Sequence, residues 1–363
     1  MKILYVITGL GQGGAERVVC DLADKMYKKG HEVKIAYLTG ETLTLPNSKE
    51  IELIKVNLNN LGSLLPAYIR LAKLVKQYKP DVVHSHMIHA NLLTRLVRLM
   101  TAIKKLISTA HSSNEGSWIR MFLYRVTHHL ADITTNVSKD ATLSFEDRGA
   151  VPKNGMRAVY NGIDLNNFYR HTNARINLNK DLGISNEVKI LLAVGRFNKE
   201  KDYPNLLQAI QILKKQNLFP FKLLIAGDGE LRSLLEQKIN ELSIDDEVVL
   251  LGRRSDIPEL MSAADLFVLS SKYEGFGLVV AEAMACKCLV VATDCGGVAE
   301  VLNAPDFLVL PCDSLALANK IKYTLSMNKD IKSDIIHKNI ERVHNEFSLD
   351  SIVDKWIDIY NEK

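Results

Sequence analysis

Two carboxylates eight positions apart, Glu274 and Glu282, bracket the segment Glu274-Gly275-Phe276-Gly277-Leu278-Val279-Val280-Ala281-Glu282. The apolar run Leu266-Phe267-Val268-Leu269 ahead of it reads as a buried strand and 278–285 as a helix, so the glycines fall at a strand-to-helix turn. A turn of this kind aims free backbone N–H groups and the positive end of a helix dipole at whatever lies above it, which suits phosphate or sugar hydroxyls. Glu274 then precedes the helix in the crevice at the strand's carboxyl end, and Glu282 lies roughly one turn inside it. Carboxylates at two depths can grip two separate polyol portions of one ligand. Taken alone, a solvated acidic loop and an ordinary surface glutamate would be the simpler reading, and the neighbouring motifs shift that weight.

Those motifs are Gly13-Gly14-Ala15-Glu16-Arg17, His111 in Ser108-Thr109-Ala110-His111, Gly195-Arg196 followed by Lys201, and Gly227-Asp228-Gly229-Glu230-Leu231. With Glu-x7-Glu around an internal Gly-Phe-Gly they make five in order, spread over nearly the whole chain. In that order they resemble the retaining nucleotide-sugar glycosyltransferases of the large family 4, also called glycosyl transferases group 1, of the bacterial surface-polysaccharide type. The resemblance implies the GT-B fold: two Rossmann-like α/β domains facing a deep interdomain cleft, with the last helix crossing back to the N-terminal domain.

The residues independently read as α/β. Lys2–Ile7 is a near-continuous apolar strand of the kind buried on both faces of a parallel sheet, and it runs into a glycine-rich loop and a helix beginning near Ala15. Gly9-Leu10-Gly11-Gln12-Gly13-Gly14 departs from Gly-x-Gly-x-x-Gly, and no acidic residue is placed for a dinucleotide ribose, which disfavours a dehydrogenase. Strands are expected at 32–38, 81–86 and 105–109, with helix over 65–78. The pattern restarts with a strand over 188–194 and a helix from about Tyr203, and strands follow at 221–226, 248–251, 266–269 and 288–292. These readings divide the chain into an acceptor-binding domain (1–168), a donor-binding domain (169–345) and a C-terminal helix (346–363). The polar stretch Asn166 to Asn179 is expected to be the linker.

A chain of 363 residues with 47% hydrophobic and 24% charged residues has enough apolar material for two cores. No secretory signal is evident and no run approaches the roughly 20 apolar residues that span a bilayer, so the expected place is cytoplasmic, peripheral at the inner membrane. The five cysteines show no Cys-x-x-Cys spacing and are expected to be reduced thiols. Net charge is +4 overall, yet residues 1–165 hold 22 Lys+Arg against 14 Asp+Glu and the remainder 24 against 28. The basic half suits an anionic partner. The segments Arg95–Lys105 and Trp118–Arg125 mix basic with large apolar residues at helical spacing. They fit either helices lying in a membrane interface or helices packed on their own sheet with basic faces in water. Nucleic-acid binding has only this basic excess behind it and is discounted.

By the resemblance, Arg196 and Lys201 are the fixed cations that stabilise the leaving diphosphate, Glu282 holds the nucleotide ribose, and Glu274 orients the donor sugar. Phe276, Gly277 and Leu278 would offer N–H groups to sugar and phosphate oxygens, with Gly275 and Gly195 in the same turns. His111 would reach the donor sugar. Gly13 and Gly14 would let their loop approach donor phosphate or acceptor, Gly227 would close a turn near the nucleotide, and Arg253 would lie near the base. Folds of this type lack an Asp-x-Asp metal site, so no metal or other cofactor is expected. His84, His86 and His89 have no completing Cys or carboxylate and are assigned no metal. The expected partners are a UDP-sugar donor, a lipid-linked glycan acceptor and the inner-leaflet membrane surface. The expected reaction is transfer of a hexose or N-acetylhexosamine to a polyprenyl-diphosphate-linked oligosaccharide, by front-face return or through a covalent intermediate. A nucleotide-sugar epimerase or hydrolase, and a non-catalytic nucleotide-sugar-binding protein, are the alternatives.

Overall fold

The computed structural model describes residues 1–362 and divides into two compact units, 1–162 with 349–363 and 163–348. Residue 363, the end of the expected C-terminal segment, lies outside the described residues.

The first unit opens with β1 (Lys2–Ile7) and α1 (Gly14–Lys28), followed by β2 (Glu32–Tyr37), β3 (Glu52–Lys55) and α2 (Leu64–Tyr78). It continues through β4 (Val82–His86), α3 (Ile88–Val97), β5 (Leu106–Ala110), α4 (Trp118–Thr127), β6 (Ile133–Asn136), α5 (Lys139–Asp147) and β7 (Arg157–Ala158). The seven strands pair in the order β3-β2-β1-β4-β5-β6-β7, and every pairing is parallel. Ile3 sits between Val33 and Val82 in this register. Parallel strands are covered on both faces by their crossover helices, so β1 from Ile3 to Ile7 and all of β4 and β5 are buried. Leu4, Val6, Val83 and Leu106 from the sheet form one core with Leu71 and Val75 of α2 and Leu93 and Val97 of α3.

The second unit holds α6 (Ala174–Leu182), β8 (Lys189–Val194), α7 (Tyr203–Gln216), β9 (Phe221–Ala226), α8 (Arg232–Glu241), β10 (Val248–Gly252) and α9 (Ile257–Ala263). After them come β11 (Leu266–Leu269), α10 (Leu278–Ala285), β12 (Val290–Thr293), α11 (Val298–Leu302), β13 (Leu308–Val309), α12 (Ser314–Ser326) and α13 (Lys329–Glu346). Its six parallel strands run β10-β9-β8-β11-β12-β13. The stretch expected to be a linker is helical from Ala174, because Arg175 is drawn onto the unit by Asp265 at 2.8 Å and the Ala263 carbonyl at 3.0 Å.

Helix α14 (Leu349–Asn361) belongs to the first unit. It buries Ile352, Val353, Trp356 and Tyr360, and its outer face pairs Asp350 with Lys25 at 2.6 Å and Asp354 with Lys29 at 2.8 Å. The Trp356 ring lies 4.5 Å from that of His84 in β4, and Tyr360 OH is 2.7 Å from His84 Nδ1. Truncating an aromatic held this way leaves a cavity that costs about 3–5 kcal/mol. Trp356→Ala should therefore lower the unfolding free energy of the first unit by about that amount and move its urea midpoint to lower concentration, and an unchanged midpoint would show that α14 is not part of its core.

Candidate active site

In the second sheet the strand order reverses between β8 and β11, and the loops leaving these two strands at their carboxyl ends carry the motifs singled out above. Strand β8 ends at Val194 and passes through Gly195 and Arg196 into a single 3-10 turn, Lys199–Lys201, capped where the Asn198 side chain accepts from Lys201 N at 3.3 Å. Lys201 Nζ then reaches Glu274 Oε1 at 2.6 Å, and Ser271 Oγ donates to the same oxygen at 2.7 Å. The two loops are stapled by their backbones as well: Ser270 Oγ donates to the Lys201 carbonyl at 2.9 Å and Lys272 N to the Glu200 carbonyl at 2.7 Å. Both charged side chains are largely buried, at 18% exposure for Lys201 and 15% for Glu274. Asp202, next in the chain and itself buried, takes a different cation, Lys272 at 3.2 Å.

Beyond Glu274 the chain turns through Gly277, which caps α10 with φ of +89°, a left-handed conformation that a side chain would strain. Phe276 is buried edge-on against Phe347, with ring centroids 5.4 Å apart, and so anchors the turn. Glu282 follows five residues into the helix numbering from Leu278 and is half-buried. Arg196 is exposed, and its guanidinium has no side-chain partner among the described residues. Gly227, after β9, donates its N–H to the Gly252 carbonyl at 2.8 Å, and Phe197 N donates to the Asp228 carbonyl at 3.0 Å, so the turns after β8, β9 and β10 are tied together. The Asp228 carboxylate lies 3.9 Å from Arg253 and 3.8 Å from Arg232.

In the first unit, His111 is the first residue beyond β5, and its Nε2 is 2.9 Å from Nδ1 of His86, the last residue of β4. His84 is fully committed, to Tyr360 OH through Nδ1 and to Thr109 Oγ1 through Nε2, each at 2.7 Å. His89 is exposed on α3. Gly13 caps α1, and the Glu16 carboxylate folds back over it so closely that a Cβ there would meet Oε2 at 2.4 Å. A helix terminus already faced by a carboxylate suits hydroxyls better than phosphate. Of the two basic segments, the first commits its cations internally: Arg95 is completely buried, Arg98 pairs with Asp132 at 2.7 Å and Lys104 with Asp81 at 2.7 Å.

The family model described as "Glycosyl transferases group 1" matches residues 174–342, and that described as "Glycosyltransferase Family 4" matches residues 12–167. The chain belongs to glycosyltransferase family 4. The glycosyltransferase is 27% identical to N-acetyl-alpha-D-glucosaminyl L-malate synthase of Bacillus anthracis, over 96% of this chain and 93% of that one. It is also 27% identical to the UDP-Gal:alpha-D-GlcNAc-diphosphoundecaprenol alpha-1,3-galactosyltransferase of Escherichia coli, over 82% and 79% of the two chains. Among solved structures, Anabaena HepE in complex with UDP-glucose superposes with a TM-score of 0.85 at 24% identity, over 99% of each chain. A glycosyltransferase from Rickettsia africae superposes with a TM-score of 0.86 at 22% identity, over 99% of this chain and 97% of that one. These likenesses establish the two-domain GT-B fold.

Sequence reasoning about the glycosyltransferase passed over Ser271, whose position three residues before Glu274 is the one available signal, and His86, which was weighed only as a metal ligand. Among the described residues no group of three or more His, Cys, Asp or Glu side chains is arranged to hold a metal ion, and no helix is long and apolar enough to cross a membrane. Burial holds His84 and His86 well below the ordinary histidine range and pushes His111 down to about 4. The unfolded chain's histidines take up protons near pH ~6.5, where these three stay neutral in the folded chain. The unfolded state then binds more protons, so this contribution to stability is complete above about pH 6.5 and is lost as pH falls below it. The thermal midpoint should drop progressively between about pH 7 and pH 5; a midpoint that is flat across that window would mean the imidazoles are not held neutral.

Proposed function

We propose that the chain is a retaining glycosyltransferase that moves a hexose or N-acetylhexosamine from a UDP-sugar to a polyprenyl-diphosphate-linked glycan in the synthesis of O-antigen or another surface polysaccharide. The observation that carries this reading is the Lys201–Glu274 pair at 2.6 Å, at the reversal point of the second sheet, with Arg196 and the α10 turn beside it. Departure of a nucleoside diphosphate develops negative charge on phosphate oxygens and positive charge on the sugar. Lys201 and the unpaired Arg196 answer the first charge and Glu274 the second, while Glu282 takes the ribose hydroxyls and Arg253 lies toward the base. Gly195, Gly227, Gly275, Phe276, Gly277 and Leu278 shape the donor pocket, and His111 contacts the transferred sugar. Gly13 and Gly14 approach the acceptor hydroxyls. The leaving phosphate accepts the proton of the incoming hydroxyl on the face it departs from, so the carbon–oxygen bond to phosphate breaks as the new one forms with retention. No metal or cofactor takes part, the two fixed cations standing in its place. The relatives whose names specify diphosphoundecaprenol-linked substrates support the acceptor class, as does HepE with UDP-glucose the donor class.

Nucleotide release measured across UDP-, GDP- and ADP-sugars, with lipid-diphosphate glycans or L-malate as acceptor, should rise only with a UDP-sugar and the lipid-linked glycan, and should persist in EDTA. Lys201→Ala should lower kcat by ~10²–10³. Glu282→Ala should lower kcat/KM about 10-fold or more through loss of a hydrogen bond to a charged group. Normal transfer by Glu282→Ala would remove the donor-site assignment, and release without acceptor would move the chain to the hydrolase or epimerase class.

Attachment of the enzyme to the inner leaflet through α4 is part of the same proposal. Its inward side buries Met121, Tyr124 and Thr127, and the opposite side exposes Trp118 (76%), Ile119 (52%), Phe122 (55%) and Val126 (44%), flanked by Arg120 and Arg125. Large apolar side chains rimmed by cations are the composition of an interfacial helix. The protein should float with phosphatidylglycerol vesicles at low salt, and a Trp118→Ser, Phe122→Ser double variant should stay behind. Equal flotation of the variant would exclude α4 as the contact.

A further inference from the structure

The Glu274 carboxylate receives two side-chain hydrogen bonds among the described residues, and both fall on one oxygen. Lys201 Nζ reaches Oε1 at 2.6 Å and Ser271 Oγ donates to the same atom at 2.7 Å. An ionised carboxylate only accepts, so the direction of the Ser271 bond is fixed and the hydroxyl's one proton is spent on Oε1. The last torsion of a glutamate is otherwise broad and nearly two-fold, so a carboxylate left to itself presents either oxygen. Lys201 does not make that choice, because an ammonium is a point charge that attracts both oxygens. The hydroxyl bond is the directional one.

Ser271 is itself held in place by the next strand. It is completely buried, and its carbonyl accepts from Thr293 Oγ1 at 2.6 Å. Thr293, also completely buried, is the last residue of β12, which pairs with β11 in the sheet. The loop after β12 fixes the Glu274 backbone as well: Gly296, at φ of +56°, lies so close to the Glu274 carbonyl that a Cβ there would overlap its oxygen. The two adjacent serines divide the work. Ser270 Oγ donates to the Lys201 carbonyl and sets where the lysine starts, whereas Ser271 acts on the carboxylate that the lysine meets. We propose that Ser271 is a positioning residue whose hydroxyl turns the Glu274 carboxylate, committing Oε1 to the protein and leaving Oε2 as the oxygen that meets a ligand. The positioning half of this statement stands on these bonds alone, and the ligand half, a hydroxyl of the transferred sugar, rests on the donor-site reading above.

Calorimetric titration of the full chain with UDP and with UDP-glucose or UDP-N-acetylglucosamine, whichever the unmodified chain binds more tightly, separates positioning from a merely structural role. UDP carries the phosphates and ribose but no sugar, so it reports on the integrity of the turn before α10. Ser271→Ala should leave the affinity for UDP unchanged and weaken that for the UDP-sugar about 10-fold, the worth of one hydrogen bond to a charged group. In a Glu274→Ala background the same substitution should weaken the UDP-sugar no further, because its effect passes through Glu274. Equal losses for UDP and the UDP-sugar would mean that Ser271 only holds the turn, and a full loss in the Glu274→Ala background would mean that it acts by another route; either result overturns the proposal. Urea unfolding of the two single variants and the double variant, without ligand, should show the same non-additivity. An unmodified chain that binds neither UDP nor the UDP-sugars, with that coupling in unfolding intact, marks the failure of the donor-site reading, whereas additive unfolding losses overturn the positioning role whatever binds.

Discussion

Parallel strand pairing is the constraint from which the rest of each unit follows. Two parallel strands cannot be joined by a tight hairpin, so every link must return across a face of the sheet, here almost always as a helix, and every strand ends at the same edge. The strand that opens each sheet lies inside it, with successors added first on one side and then on the other: β2 and β4 flank β1, and β9 and β11 flank β8. At that reversal the outgoing loops diverge and leave a crevice. Lys201 and Glu274 are 73 positions apart and yet in hydrogen-bond contact because the reversal sets β8 and β11 side by side.

An ion pair with both partners largely out of water is not chiefly a source of stability, since removing two charges from solvent offsets much of their attraction. Its worth in this place is orientation. Lys201 is held by Glu274 and by the capped 3-10 turn, and Glu274 is held by Lys201 and Ser271, so neither side chain has to be ordered when a ligand arrives. A bare phosphate could engage the ammonium only against the repulsion of the neighbouring carboxylate. A molecule carrying phosphate and hydroxyls a few bonds apart can satisfy both groups together.

The elements that were legible in the sequence are those whose burial is local in origin. Strands 221–226 and 266–269 and helix 278–285 have the expected bounds because a strand covered on both faces is a short unbroken apolar run, and because Gly277 marks where the helix must begin. The motif residues around 195–201 and 274–282 were found by their types and spacing, whereas the bond between them depends on topology that no window of sequence contains. Helix α6 was read as linker since its own amphipathicity is weak; what folds it is Arg175 reaching Asp265, 90 positions away. The role of His84 and His86 was hidden for the same reason, because His84 is satisfied by Tyr360 from the far end of the chain.

Arg95 makes the limit of periodicity plain. On the sequence it stands in a basic, apolar-rich segment and counts toward a surface charge, yet it is completely buried and meets no carboxylate among the described residues. Its guanidinium is shared among the hydroxyls of Ser108, Thr127 and Thr134 and the Tyr124 carbonyl, and lies over the Tyr124 ring at 5.0 Å. Burial lowers its pKa to about 10, so it keeps its charge at neutral pH and is solvated by neutral oxygens and a ring face instead of by an anion. A planar fork with five donors can be satisfied by such a set, whereas an ammonium could not reach it. With Arg95 turned inward and Arg98 and Lys104 paired at the surface, the apolar stripe of α4 and the cations beside it are what the two basic segments leave facing solvent. Helical spacing correctly grouped these residues by type, but which side of each helix faces water is decided by the sheet beneath it.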